Sequence, residues 1–287
     1  MWLIFAICSA FFAGLTSILA KCGLQNVDST VATAFRTVVA LLFAWTIVAI
    51  SGSYEQLGDI TSEGWVFLIL SGLATGASWL CYFKALQIGD VNKVVPVDKS
   101  SNVLAIILAI VILGETLSVW GAFGVALILI GTMLMIERKD VTEVKTTNSG
   151  WLLFAIGSAV FAALTSILGK MGMEGIDSNL GTAIRTAVVL VMSWVMIYAT
   201  HKQDKMHGLT NRDKMFIISS GLATGASWMF FFAALQDGPA SVIIPIDKLS
   251  ILVTVAFAYL VFKEKLSKKS AIGLAGIVAG TLLLLVR

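Results

Sequence analysis

Apolar runs of about 20 residues recur along the whole chain, separated by short polar breaks. Ten can be marked, at roughly 2–20, 30–50, 65–86, 92–113, 118–136, 151–169, 179–199, 214–236, 241–262 and 267–286. As a helix rising about 1.5 Å per residue, each is long enough to cross about 30 Å of hydrocarbon. None alternates polar and apolar residues as the strands of a membrane barrel do. The pattern predicts an all-α polytopic membrane protein with ten transmembrane helices. The first run has no Lys or Arg between Met1 and its apolar stretch, and a near-copy of it lies mid-chain at 151–169. Both features argue for a transmembrane helix rather than a secretory leader.

The ten runs form two sets of five. The octapeptide GLATGASW occurs at Gly72–Trp79 and again at Gly221–Trp228, an offset of 221 − 72 = 149 residues. That offset carries Lys21 onto Lys170, Arg36 onto Arg185, Asp98 onto Asp247, Lys99 onto Lys248 and Glu115 onto Glu264. Of the 20 residues from Trp2 to Lys21, 15 recur in the second copy. The chain therefore divides into a five-helix repeat at 1–137, a polar linker at 138–150 and a second repeat at 151–287. An odd number of helices per unit turns the second upside down, giving two inverted five-helix repeats.

Charge sets an orientation. Side A is the side holding the N-terminus. Of the 20 Lys and Arg residues, 14 fall at the side B ends of the runs, two (Lys170 and Arg287) at side A, and four lie within the membrane. The positive-inside rule then makes side B cytoplasmic and puts both termini outside. Composition agrees with a membrane protein: 13% of residues are charged, against about 25% in soluble domains, and mean hydropathy is +0.93.

Several chemistries are excluded. Cys8, Cys22 and Cys81 show no metal-ligand spacing, and no nucleotide-binding or cofactor motif is present. His201 and His207, the two histidines, both lie in the loop after the seventh run, away from any buried serine a protease would use. Asp98 and Asp247 fall in opposite halves of the membrane, each beside a lysine, which argues against an aspartyl dyad. The chain reads as no enzyme, without cofactor, metal or nucleic-acid partner.

The intramembrane charges are the candidate chemistry. Helical rise places Arg36, Asp98 and Lys99 about 9–12 Å below the side B surface. Trp79 lies at a similar level, and Lys21 ends the first run on that side. Inversion places Lys170, Arg185, Trp228, Asp247 and Lys248 in a matching layer near side A. Between the layers lie the neutral polar residues Thr16, Thr75, Asn102, Thr165, Thr224 and Thr254. Buried charge costs about 2.5–3.5 kcal/mol on insertion scales, so each group should find a partner or a water-filled space. The plainest use is a within-unit ion pair, Arg36 with Asp98 and its copy. The functional use is a solute cavity lined by these residues, with Lys21, Arg36, Asp98, Lys170, Arg185 and Asp247 as gates or ion pairs. Glu115 and Glu264 precede Ser118 and Ser267, which read as caps of the fifth and tenth helices, so each acid is expected at the dipole of the helix it precedes. Asp28 and Asp177 are expected to cap the second and seventh helices.

The segment GLATGASWLCYFKALQIGD, followed by GETLS, resembles the drug/metabolite transporter superfamily of the EamA type. The resemblance covers both units. It implies ten helices, a cavity lined mainly by the first four helices of each unit, peripheral fifth and tenth helices, and alternating access on small metabolites. Relatives with ten helices are often drawn with cytoplasmic termini, against the charge count here. Two departures stand out. The PVDK and PIDK segments put a charge pair where many relatives carry small neutral residues. The first and sixth helices lack the embedded glutamate of the small multidrug-resistance proteins.

The expectation is a secondary carrier in a bacterial or archaeal cell membrane. Each layer holds three cations against one aspartate, which favours an anionic or zwitterionic metabolite. An organic-cation exporter, a carrier or flippase for lipid-linked solutes, and a non-transporting scaffold are the alternatives. Gly276 and Gly280 suggest helix packing, within the chain or in a homodimer through the fifth and tenth helices.

Overall fold

The computed structural model describes residues 1–23, 27–135, 150–263 and 267–286. The linker at 138–149, Glu264, Lys265 and Arg287 fall outside them. Twelve α-helices are described: α1 (Trp2–Gly23), α2 (Ser29–Ser51), α3 (Ser62–Ile88), α4 (Val91–Lys99), α5 (Ser101–Leu113), α6 (Val119–Met135), α7 (Gly150–Gly172), α8 (Ser178–Ala199), α9 (Asn211–Asp237), α10 (Ala240–Asp247), α11 (Ser250–Phe262) and α12 (Lys268–Leu284). Eight spans have the length and apolarity to cross a membrane, α4–α5 and α10–α11 each counting as one. With the 17-residue helices α6 and α12, the spans number ten.

Local chemistry sets the helix ends. Asp28 and Asp177 accept from the amides of Thr30 and Asn179 at 2.9 and 2.8 Å, capping α2 and α8 as expected. Ser118 and Ser267 do the same for Gly121 and Ser270, each at 3.1 Å.

The fourth and ninth spans differ from the continuous helices expected. Pro96 and Pro245 lie inside α4 and α10. A proline lacks an N–H and crowds the preceding turn, so the helix behind it cannot run on unchanged. Beyond each proline shorter-range bonds enter: Ser100 N reaches Val97 O as well as Pro96 O, both at 3.2 Å, and Lys248 N reaches Pro245 O at 3.0 Å. Asp98–Lys99 and Asp247–Lys248 sit at these breaks. Discontinuous helices with charge at the break are a recurrent device of membrane carriers.

The two units interleave. Ser9 meets Ser227 and Gly23 meets Phe216, so α1 runs antiparallel to α9. Ser78 meets Ser158 and Gly172 meets Leu68, so α3 runs antiparallel to α7. Gly72 and Gly76 lie against Val188 and Met192, which makes α3 and α8 parallel; Gly221 and Gly225 put α9 parallel to α2 in the same way. These registers require the second unit to be inverted relative to the first. Eight spans close a ring in the order α1, α9, α2, α8, α3, α7, α4–α5, α10–α11, and back to α1.

Helices α6 and α12 stand outside this ring and pack on each other. A Cβ on Gly131 would come within 2.5 Å of the Gly273 carbonyl, and one on Gly280 within 2.5 Å of the Gly124 carbonyl. Only glycine permits backbones this close. The glycine faces of the fifth and tenth spans are thus used within the chain.

Candidate solute-binding site

Arg185 is the most enclosed charge in the ring. It stands on α8, one turn behind Gly181, and is 2% exposed. Its Nε donates to Ser71 Oγ at 3.1 Å and its Nη2 to Thr75 Oγ1 at 2.9 Å, both on α3. Thr75 in turn lies 3.2 Å from Thr165 on α7, and Ser71 donates to the Thr165 carbonyl at 2.7 Å. The guanidinium carbon rests 4.2 Å from the Phe232 ring centre and 5.8 Å from that of Trp228. Hydroxyls and aromatic faces therefore surround this cation, and among the described residues it makes no ion pair with a carboxylate.

Arg36, its copy, is held differently. It is partly exposed, and its Nη2 lies 3.4 Å from Thr33 Oγ1 on its own helix. Phe83, the copy of Phe232, lies instead 5.7 Å from the ammonium of Lys202. Thr16 and Thr224 still pair across α1 and α9 at 3.3 Å, matching Thr75 and Thr165.

The expected Arg36–Asp98 pair and its copy do not form among the described residues. Each aspartate bonds instead to a serine of the other unit. Ser158 Oγ donates to Asp98 Oδ1 at 2.7 Å, and Ser9 Oγ donates to Asp247 Oδ1 at 2.8 Å. Behind these serines, Ser78 and Ser227 donate to the carbonyls of Ser158 and Ser9, both at 3.1 Å. Lys99 and Lys248 lie 3.4 and 3.5 Å from the aspartates they follow. Both lysines are far more exposed than their partners, at 49% and 41% against 15% and 19%. The physical reason is topological. Interleaving seats α4 on α7 and α10 on α1, so the acid on each broken helix meets the opposite unit rather than the arginine of its own. Asn102 is buried two residues beyond the first break. Trp79 and Trp228 are both partly exposed.

Glu115 also departs from expectation. It binds the start of α10 rather than that of α6. Its two carboxylate oxygens accept from the amides of Ala240 and Ser241 at 2.7 and 2.8 Å. Lys170 Nζ stands 3.4 Å away and also donates to the Gly238 carbonyl. Burial raises the carboxyl's pKa, but hydrogen bonds from Ser241 and Ala240 and the charge of Lys170 outweigh it and hold Glu115 below its usual range. This cluster ties the end of the fourth span to the sixth and ninth at side A. Alongside it, α10 packs closely on α5, whereas α4 and α11 barely touch. Lys21 is exposed at the end of α1.

The signals for the missed residues were weak. Ser71, Ser78, Ser158 and Ser227 are neutral hydroxyls that recur as Ser220, Ser227, Ser9 and Ser78 in the other copy, but so do many other residues.

A family model described as the EamA-like transporter family matches residues 1–137 and 149–286. The chain belongs to the EamA-like transporter family. This EamA-family protein is similar to an uncharacterized transporter in the cobO 3′ region of Sinorhizobium sp, at 46% identity over 134 residues. That match takes in 47% of this chain and 95% of the relative, about one repeat. It is 29% identical to human solute carrier family 35 member G1 over 259 residues, covering 85% of this chain and 68% of that one. A putative ribose uptake protein of Staphylococcus aureus is 23% identical over 263 residues, covering 84% and 83%. A crystal structure superposes with a TM-score of 0.78 over 98% of this chain and 94% of that one, at 16% identity, a likeness of fold alone. The protein is an integral membrane transporter.

Proposed function

We propose that this transporter moves a small anionic or zwitterionic metabolite by alternating access through the ring. The observation that carries the reading is Arg185, a buried cation balanced by hydroxyls and aromatic faces, with no carboxylate paired to it among the described residues. A carboxylate or phosphate would complete its charge, and arginine's planar fork suits such groups. The hydroxyls of Thr16, Thr75, Thr165 and Thr224 add donors and acceptors for a polar solute, and Trp79 and Trp228 offer flat apolar walls. Lys99 and Lys248 extend the positive field at the helix breaks.

Alternating access is supported by the unequal halves. The Glu115–Lys170 cluster latches side A, and Arg185 is sealed there, while Arg36 near side B is more open. Inverted repeats reach the opposite state by exchanging the two arrangements. We assign side B to the cytoplasm on its excess of basic residues.

The name of the staphylococcal relative supports a second reading, a neutral sugar held by the threonine hydroxyls. Thermal unfolding of the purified protein against organic acids, amino acids, sugar phosphates, ribose, nucleosides and organic cations separates the two. A ligand at 100 times its Kd adds about 2.7 kcal/mol of stability. Stabilisation by an anion or zwitterion supports the first reading, and by ribose alone the second. Stabilisation by cations alone returns the protein to organic-cation export.

A further inference from the structure

A crevice opens on the outer face of the ring at side B, between α3, the start of α7 and the end of α8. Its volume is about 520 Å³, and its walls include Leu80, Phe83, Lys84, Phe154, His201 and Lys202. The sequence dictates which way it faces. Val66, Ile69 and Leu73 form the exposed stripe of α3, at 52, 40 and 40%. Leu80, Lys84 and Gln87 continue that stripe at helical spacing, so the crevice opens toward lipid. Leu80 lies eight residues before the end of α3, about 12 Å down the helix. The deep wall is apolar, and the charges sit at the mouth.

The mouth is built by the way α8 stops. His201 takes a left-handed backbone, φ 52°, and Lys202 N then bonds back to Ile197 O at 3.0 Å. This turn holds the Lys202 ammonium 2.9 Å from Asp28 and 5.7 Å from the Phe83 ring centre. Lys205 shares Asp28 at 3.4 Å, so two lysines lie against that acid. Lys84 is exposed and donates to the neutral Gln87 at 3.0 Å.

The other repeat supplies an internal control. An equivalent crevice of about 400 Å³ exists at side A, lined by Phe5, Met229, Ala233 and Gln236 among others. There Ala233 replaces Lys84, and the positions equivalent to His201 and Lys202 are Gly52 and Ser53. The charged residues at that crevice are the acids Asp177 and Asp237. The two repeats thus keep the apolar groove and differ in the charge of its mouth.

We infer that the side B crevice binds one anionic phospholipid, with an acyl chain along Leu80, Phe83 and Phe154 and the phosphate at Lys84 and Lys202. Basic pockets between transmembrane helices hold anionic headgroups in this manner.

The test is lipid retention by the full-length protein in detergent, read by native mass spectrometry and thermal unfolding. The probes are dioctanoyl phosphatidylglycerol, dioctanoyl phosphatidylcholine and free glycerol 3-phosphate. The expected result is one retained phosphatidylglycerol with a raised Tm, at least fivefold weaker retention of phosphatidylcholine, and no shift with glycerol 3-phosphate. Lys84→Gln, an exposed change that leaves the Asp28 pairs intact, should erase most of the preference while its lipid-free Tm matches the parent. Equal retention of both lipids would overturn the proposal, as would a preference unchanged in Lys84→Gln. A full shift with glycerol 3-phosphate alone would reassign the crevice to a soluble anion and also overturn it.

Discussion

Ser158 Oγ donates to Asp98 Oδ1 at 2.7 Å, joining the broken helix of one repeat to the first helix of the other. Ser9 and Asp247 repeat the bond at 2.8 Å in the opposite half. Hydrogen bonds to charged groups contribute about 1.5–3 kcal/mol, but bonds between membrane helices average about 0.6. These two are expected to lie between the limits, because each aspartate also has a lysine beside it. Ser158→Ala and Ser9→Ala are each expected to cost about 1–2 kcal/mol in chemical or thermal unfolding. A cost below about 0.3 kcal/mol for both would show that the bonds do not hold the broken helices.

The two arginines should respond unequally to truncation. Arg185→Ala removes a donor from each of two hydroxyls and leaves a buried void, so both stability and solute binding are expected to fall. Arg36→Ala removes a partly exposed side chain with a long bond to its own turn, so binding and flux should fall with little change in Tm. Arg185→Lys keeps the charge but cannot span Ser71 and Thr75 together; it should fold better than Arg185→Ala yet bind solute weakly. Equal loss of stability in Arg36→Ala and Arg185→Ala would contradict the difference in burial.

The side A latch carries a pH signature. Glu115 is held below its usual range, so its folded-state pKa is depressed relative to the unfolded chain. A depressed carboxylate contributes stability that is fully present above the unfolded value and is lost as pH falls through the folded one. The slope of Tm against pH should therefore be steeper in the parent than in Glu115→Gln below about pH 4.3, the ordinary glutamate value, with the two parallel above it. Identical slopes throughout would show that Glu115 does not latch α10. Asp28 is depressed in the same sense, burial opposing and Lys202 prevailing, so the comparison must be made between variants rather than on the parent alone.

Packing of α6 on α12 depends on backbones that touch. Gly131→Leu would drive a side chain into the Gly273 carbonyl, and overpacking of this kind costs about 1–3 kcal/mol. The ring lies apart from this pair, so solute-induced stabilisation should survive the change. Loss of solute binding at an unaltered Tm would place α6 and α12 in the binding machinery.

Some of this was readable from the residues alone. The apolar runs located every span, because hydrocarbon imposes both length and apolarity. The 149-residue offset exposed the repeat, because Lys21, Arg36, Asp98 and Glu115 all recur with it. What stayed hidden was which helix each residue would meet. Helical spacing puts Asp98 on a face of its own helix but says nothing about whose serine lies opposite. Ser158 was invisible for the same reason, since hydroxyls are common in membrane helices and usually bond to their own turn. Glu115 looked like an ordinary acid before Ser118, and only interleaving brings it to the amides of Ala240 and Ser241. Pro96 and Pro245 stand just before the breaks at Ser100 and Lys248, but a proline disturbs the turn that precedes it, so the residues alone did not place these breaks.

Uptake by the protein in liposomes tests the central claim most directly. The solute that raises the Tm would be labelled and its entry followed in the parent and in Arg36→Ala. The account predicts saturable accumulation of an anion or zwitterion by the parent, and loss of at least nine-tenths of the rate in a variant whose Tm is unchanged. Uptake of organic cations that is indifferent to Arg36→Ala would contradict it.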